Sequence, residues 1–279
     1  MFDSLDHLVF DLSMPWTLVI LVLFFGLIAL AAVSGKALNG SGALAAMLLG
    51  LTVTWAFGFR GLALLFFFFL TSTLISKIRV RIQKIQDPFF EKKGSVRDAV
   101  QVAANGLGAF FAAVLYLAGL KLPAIFMFGA ALAEAGSDTW AGEVGRLSHK
   151  APVSLKTGKE VPRGVSGGVT LLGTVTGFLA SFVTALVFIA LFRTEKPVLS
   201  VFIVTIAGFT GCILDSVFGA FWQALYQDPE TKVYAESPVS KDGKPLQLIH
   251  GMKWLDNDMV NILSNAASAV IGLILGLLL

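Results

Sequence analysis

Residues 123–146 read PAIFMFGAALAEAGSDTWAGEVGR. The stretch is long and apolar enough for a membrane helix, which needs about 20 residues at 1.5 Å rise each. It nevertheless carries Glu134, Asp138 and Glu143, with Ser137 beside the aspartate. Glu134 and Asp138 are four apart and share a helix face. An ionisable group at membrane depth costs at least roughly 2.5–3.5 kcal/mol on insertion scales, so these carboxylates need partners or a function.

The rest of the chain agrees with a membrane setting. Of 279 residues 56% are hydrophobic and only 14% charged, against roughly 25% charged in soluble domains. The mean hydropathy is +0.80. A single cysteine, Cys212, rules out an intramolecular disulfide, and His7, His149 and His250 are too scattered for a histidine metal site. The composition predicts an all-α polytopic bundle forming one integral membrane domain over 1–279. Its eight spans fall near 14–34, 41–58, 61–76, 98–119, 123–146, 167–192, 198–226 and 257–279. The second and third are short, which leaves a tilted or re-entrant hairpin open there. The acidic start (Asp3, Asp6, Asp11) lacks the basic opening of a cleavable signal, so the first span reads as a retained anchor.

Charge sets the orientation. With the N-terminus and C-terminus both outside, only Arg60, Lys121, Arg193 and Lys196 of the 21 basic residues fall on outer connections. The others lie at Lys36 and in or beside the long loops 77–97, 147–166 and 227–256, which the positive-inside rule makes cytosolic. The expectation is an integral protein of the cytoplasmic membrane with its working site facing the cytosol.

Polar residues recur in the inner half of other spans. Gln101 and Asn105 share a face of the fourth; Asp215 and Ser216 lie in the seventh; Asn257, Asn261, Ser264 and Asn265 line the eighth. Counted from the inner helix ends, Asn105 and Asp138 lie roughly 10–13 Å deep and Asp215 roughly 17 Å. Asn261 and Asn265 fall between roughly 6 and 12 Å on the same ruler. These levels predict one water-filled cavity open to the cytosol. The bland alternative is that amides and small residues serve helix packing, which remains open for Gln101, Asn105, Asn265 and Gln223. Glu134 reads as either protonated or paired with a basic residue.

Two loops carry positive charge toward that level. Residues 156–168, KTGKEVPRGVSGG, combine Lys156, Lys159 and Arg163 with Gly167 and Gly168, and Ser166 is a candidate cap for the next helix. Glycines let consecutive N–H groups converge on a phosphate, although the sequence is no Walker A motif and also suits a plain helix-linking turn. The loop would hang over Asp138 and Glu143, and carboxylates beside phosphates imply a divalent cation, most simply Mg²⁺. In 77–98, KIRVRIQKIQDPFFEKKGSVRD, basic and apolar residues alternate as in a surface-lying amphipathic segment. Arg97 is one turn from Gln101 and aims a guanidinium at the cavity. Loop 227–253, punctuated by Pro and Gly, reads as a mobile flap or hairpin.

At these residues the chain resembles the domain-of-unknown-function-92 family, the transmembrane-protein-19-like proteins that include phytyl-phosphate kinases. The likeness runs through Ser137-Asp138-Thr139 to Glu143-Val144-Gly145, Gly167-Gly168-Val169-Thr170 to Gly173, Asp215-Ser216, and Trp254 through Asn257 to Asn261. The resemblance implies a membrane kinase passing a phosphate from a nucleoside triphosphate, CTP above all, to a prenyl or phytyl monophosphate. In that reading Asp138, Glu143 and Asp215 hold Mg²⁺ and are catalytic, and Lys156, Lys159, Arg163, Gly167 and Gly168 bind the nucleotide. Arg97, Asn105, Asn257 and Asn261 receive the acceptor phosphate. Partners are the nucleotide, the isoprenoid lipid and the bilayer, with no nucleic acid; a homodimer is left open. Two alternatives stand: a nucleotidyl transferase making a CDP-lipid, and an ion-coupled transporter or flippase of an isoprenoid phosphate.

Overall fold

The computed structural model describes residues 2–82, 96–240 and 242–279. Eight helices run in chain order among them, with five short strands in the connections. Helix α1 (Phe2–Phe10) is too short to cross a bilayer. The long helices are α2 (Met14–Ser34), α3 (Gly40–Ile82), α4 (Ala99–Leu117), α5 (Lys121–Gly145), α6 (Leu171–Phe192), α7 (Pro197–Phe221) and α8 (Asn257–Leu277). All but α5 are long and apolar enough to span a membrane by length and composition. The molecule is a polytopic helical membrane protein, as the composition predicts.

Helix α3 has 43 residues, about 65 Å if straight, more than twice a hydrocarbon core of roughly 30 Å. It is not straight. Gly58 takes φ 64° and ψ −163°, a conformation closed to side-chain-bearing residues, and the helix doubles back there. A Cβ on Gly61 would lie 3.2 Å from Val53 Cγ1, a closeness that residues eight apart reach only across a hairpin. The arms 40–57 and 59–82 correspond to the second and third expected spans. Helix α1 braces the elbow: Asp6 Oδ1 accepts the Phe59 N–H at 2.9 Å, and Arg60 pairs with Asp3.

Helix α5 is the axis, packed by α3, α4, α6, α7 and α8. Its run from Ala124 to Ser137 is buried apart from Ile125. Alanines and glycines dominate that run, so neighbours approach to backbone distance. A Cβ at Gly272 of α8 would sit 2.6 Å from the Phe126 carbonyl, and one at Gly208 of α7 would sit 2.5 Å from Ala133 Cβ. Aromatic packing fills the end of the bundle near the elbow, with Phe57 stacked on Phe128 at 4.5 Å between centroids. The outward faces are apolar: Leu27, Leu171 and Val198 are all exposed, as lipid-facing side chains should be.

Several boundaries correct the expectations. The second arm of α3 runs to Ile82, so Arg79 and Arg81 are helical rather than part of a surface segment; residues 83–95, including the rest of that segment, lie outside the described residues. Helix α6 starts at Leu171, four residues later than expected. Its cap is Thr170, whose hydroxyl accepts the Gly173 N–H at 3.0 Å, and not Ser166. Helix α7 stops at Phe221, because the chain then enters a three-stranded antiparallel sheet. In that sheet β3 (Leu225–Gln227) is central between β4 (Tyr234–Ala235) and β5 (Gln247–His250). Of the two expectations for the third loop, flap or hairpin, the hairpin holds: β3 and β4 pair antiparallel, and β5 extends them to a small sheet. The second loop also folds, pairing β1 (Val153–Ser154) with β2 (Gly168–Val169).

Candidate functional site

At the end of the bundle away from the elbow, a cavity of about 550 Å³ opens among the second arm of α3, the start of α4, the end of α5, the start of α6, α7 and the start of α8. Asp138 and Asp215 form part of its wall. They come from α5 and α7, yet their carboxyl groups are within hydrogen-bonding reach of one another. Both are half-buried, whereas Glu134, one turn deeper on α5, is 2% exposed.

That difference separates structure from chemistry. Glu134 Oε1 accepts from Ser264 Oγ at 2.9 Å and Oε2 from Asn265 Nδ2 at 2.6 Å. Asn265 also donates to the Ala131 carbonyl at 2.9 Å and accepts from Gly108 N at 3.2 Å, tying α4, α5 and α8 together. Glu134 and Asn265 thus hold helices together, with polar partners rather than a basic residue. Ser264 links this layer to the cavity, since its Oγ is also 3.4 Å from Asp215 Oδ2. With its amide nitrogen turned toward the carboxylate, Asn261 lies 3.0 Å from Asp215 Oδ2 and 3.1 Å from the Asn257 carbonyl. The Asn261 amide fixes the rotamer of Asp215 from the α8 side, while the Ser264 hydroxyl, donated to Glu134, packs beside it.

Glu143 borders the same cavity but is engaged elsewhere. Ser76 Oγ donates to Oε1 at 2.8 Å and Arg79 Nε to Oε2 at 2.6 Å, both from the second arm of α3. Among the described residues no group of three or more His, Cys, Asp or Glu is placed to hold a metal ion. The three expected carboxylates are therefore not one cluster: Asp138 and Asp215 pair, and Glu143 anchors Arg79. The pair still fits Mg²⁺, which uses one or two carboxylates and completes its shell with water and phosphate oxygens.

Arg97, Asn105, Asn257 and Asn261 all border the cavity, as expected. Arg97 is locked by its backbone: its N–H donates to the Ala37 carbonyl at 3.1 Å and its carbonyl accepts the Asn39 N–H at 3.0 Å. Burial draws the Arg97 pKa below its ordinary value, and the nearby Glu143 carboxylate opposes that shift. Asn105 donates to the Gln101 carbonyl at 3.0 Å. Gln101 itself closes a capping box with Asp98 that starts α4.

The glycine loop is placed only in part as expected. Gly167 and Gly168 line the cavity, and Gly167 is pressed against α7. Gly167 has φ 73°, and a Cβ there would fall 2.3 Å from Ala220 Cα, so glycine is obligatory twice over. The Gly168 N–H, however, is donated to the Val165 carbonyl at 3.1 Å, so the two glycines do not offer a pair of converging donors. Lys156 and Lys159 are exposed and do not line the cavity; Lys156 Nζ lies 3.4 Å from His250 Nδ1. Arg163 donates to the Ser148 carbonyl at 2.7 Å, pinning the loop to the end of α5.

Among the described residues, the cations that do border the cavity besides Arg97 are Lys36, Lys77, Arg79 and Arg146. Sequence reading assigned Lys77 and Arg79 to the membrane surface. A helical continuation through Ile82, with Arg79 three residues beyond Ser76, was the available signal that they turn inward. Glu236, beside β4, was also missed: it accepts from Ser166 Oγ at 3.2 Å and Gln223 Nε2 at 3.3 Å, closing the sheet over the cavity.

Fold and site together define a class: helical integral membrane proteins with an acid- and base-lined cavity in one half of the bundle. The family described as "Integral membrane protein DUF92" matches residues 20–269, and the chain belongs to it. It is 30% identical over 278 residues to "Protein PGR" of Arabidopsis thaliana, covering 91% of this chain and 94% of that one. It is 28% identical over 243 residues to "Protein VTE6, chloroplastic" of the same plant, covering 85% of this chain and 65% of the relative. An uncharacterized membrane protein of Methanocaldococcus jannaschii is 29% identical over 202 residues, or 72% of this chain and 82% of its own. No solved structure matches the chain.

Proposed function

We propose that this protein is a membrane phosphoryl transferase. It moves the terminal phosphate of a nucleoside triphosphate, CTP by family resemblance, onto a prenyl or phytyl monophosphate, with the cavity facing the cytosol. The observation that carries the reading is the meeting of Asp138 and Asp215 from separate helices at the wall of a cavity that also presents Arg79 and Arg97. Mg²⁺ would be held by Asp138 and Asp215, where it neutralises phosphate charge. Arg79, oriented by Glu143, and Lys36 bind nucleotide phosphate oxygens. Arg97, with Asn105 and Asn257 nearby, receives the acceptor phosphate. Asn261 keeps Asp215 in the rotamer that faces the cavity.

In the transfer, an oxygen of the acceptor monophosphate forms a bond to the terminal phosphorus while the bond to the bridging oxygen breaks, releasing the nucleoside diphosphate. The acceptor is already anionic, so no base must remove a proton, and no histidine is needed at the site. Catalysis is then positioning and charge neutralisation, which the two acids and the arginines supply.

The test is a purified-protein assay with terminally labelled CTP or ATP and geranylgeranyl or phytyl monophosphate, with and without Mg²⁺. The expected product is a labelled prenyl diphosphate, with Asp138→Asn lowering turnover at least 100-fold while eluting as the wild type on gel filtration. Release of pyrophosphate would establish the nucleotidyl transferase instead. Lipid flux into vesicles without nucleotide consumption would establish the transporter.

A further inference from the structure

A second, smaller cavity of about 90 Å³ lies between α2 and the α3 hairpin. Phe25 and Ile28 of α2, Met47 and Leu49 of the first arm, and Phe66 and Phe69 of the second wall it, so it is almost wholly apolar. It does not stand alone. Arg97, Gln101 and Asn105 border both this groove and the main cavity, so an apolar passage and a charged chamber share one polar threshold. Ala29, Ala32 and Ala46 are half-buried on the groove wall, and their small side chains keep it from closing. Helix α2 itself is the least enclosed of the candidate spans: Leu23, Leu27 and Leu30 are each more than 60% exposed. The groove therefore lies between a lipid-bathed helix and the bundle.

We infer that this groove receives the first part of the apolar chain of a single-chain lipid whose phosphate sits at Arg97 and Asn105. The inference rests on the phosphoryl-transfer reading for the identity of the headgroup site and extends it to the tail. The size of the groove decides how much of the chain is held. Pockets that enclose a whole ligand measure roughly 300–1,000 Å³, so this one takes only the segment nearest the phosphate. The remainder continues outward between α2 and α3 into the bilayer, where hydrocarbon solvates it as well as protein would. Recognition is then strict near the headgroup and indifferent to chain length. One groove at the threshold accommodates one chain, which disfavours diacyl lipids.

The test needs no nucleotide. Full-length protein in nanodiscs is photolysed with geranylgeranyl monophosphate carrying a diazirine in its first isoprene unit, and labelled peptides are mapped by mass spectrometry. Label is expected in residues 25–32 and 46–69, competed by unlabelled geranylgeranyl monophosphate and farnesyl monophosphate alike, and not by equimolar dioleoyl phosphatidic acid. Ala46→Phe and Ala29→Phe, which fill the groove from opposite walls, should each reduce that labelling at least tenfold without changing gel-filtration behaviour. Label spread over the outer faces of α6 and α7, or undiminished by both substitutions, overturns the inference, as does competition by phosphatidic acid. Since the probe reports occupancy alone, absence of transfer with labelling intact would sink only the kinase reading.

Discussion

Two acids one turn apart on α5 have different fates because of depth and donors. Glu134 is sealed and satisfied by Ser264 and Asn265, while Asp138 reaches the cavity and meets Asp215. Asn265 makes three interhelical hydrogen bonds, and such bonds average about 0.6 kcal/mol each in membrane bundles. Asn265→Ala should therefore lower unfolding stability in detergent by roughly 2 kcal/mol without reaching the cavity chemistry; an unchanged thermal midpoint would contradict the tie. Among the cations, Arg79→Ala is expected to cut transfer at least 30-fold, and the double change Lys156→Ala with Lys159→Ala less than threefold. The reverse order in a turnover assay would return the nucleotide to the glycine loop. The carboxylates and amides were legible in sequence because lipid makes buried polarity conspicuous. The inward cations were not, since Lys77 and Arg79 in a basic, alternating stretch look the same whether they face headgroups or a cavity.

At the level of elements, the sharpest constraint is the elbow of α3. Gly58 combines φ 64° with the Asp6 carboxylate packed against the point where a Cβ would stand. Gly58→Ala should destabilise the protein by about 1–3 kcal/mol, through backbone strain and displacement of α1. Circular dichroism melts against the wild type would show it, and an unshifted melt would mean the hairpin is not held by this turn. The hairpin itself was readable from two short apolar runs around a glycine-bearing junction. The sheet β4-β3-β5 was not, because strands of two to four residues leave too few positions for a period-two pattern to emerge. Thr170 as the cap of α6 was similarly obscured by Ser166, which has the right chemistry but sits before the β2 pairing that delays the helix.

Across the whole molecule, lipid exposure on the outside and a polar chamber at one end follow from one distribution of residues. Small residues converge on α5, apolar ones face outward, and charge collects where α3, α4, α5, α7 and α8 end or begin. Orientation is testable because the sole cysteine, Cys212, is buried. Thr157→Cys should react with a membrane-impermeant maleimide only from the cytosolic side, and Glu195→Cys only from the other; the opposite pattern would invert the topology. The proposed transfer depends most on Asp138 and Asp215 acting jointly on a divalent ion. Electron paramagnetic resonance of Mn²⁺, a Mg²⁺ surrogate, measures that directly in the presence of CTP. Wild-type protein should bind the ion, with Asp138→Asn and Asp215→Asn each weakening binding at least tenfold. Equal Mn²⁺ affinity in all three proteins would contradict it.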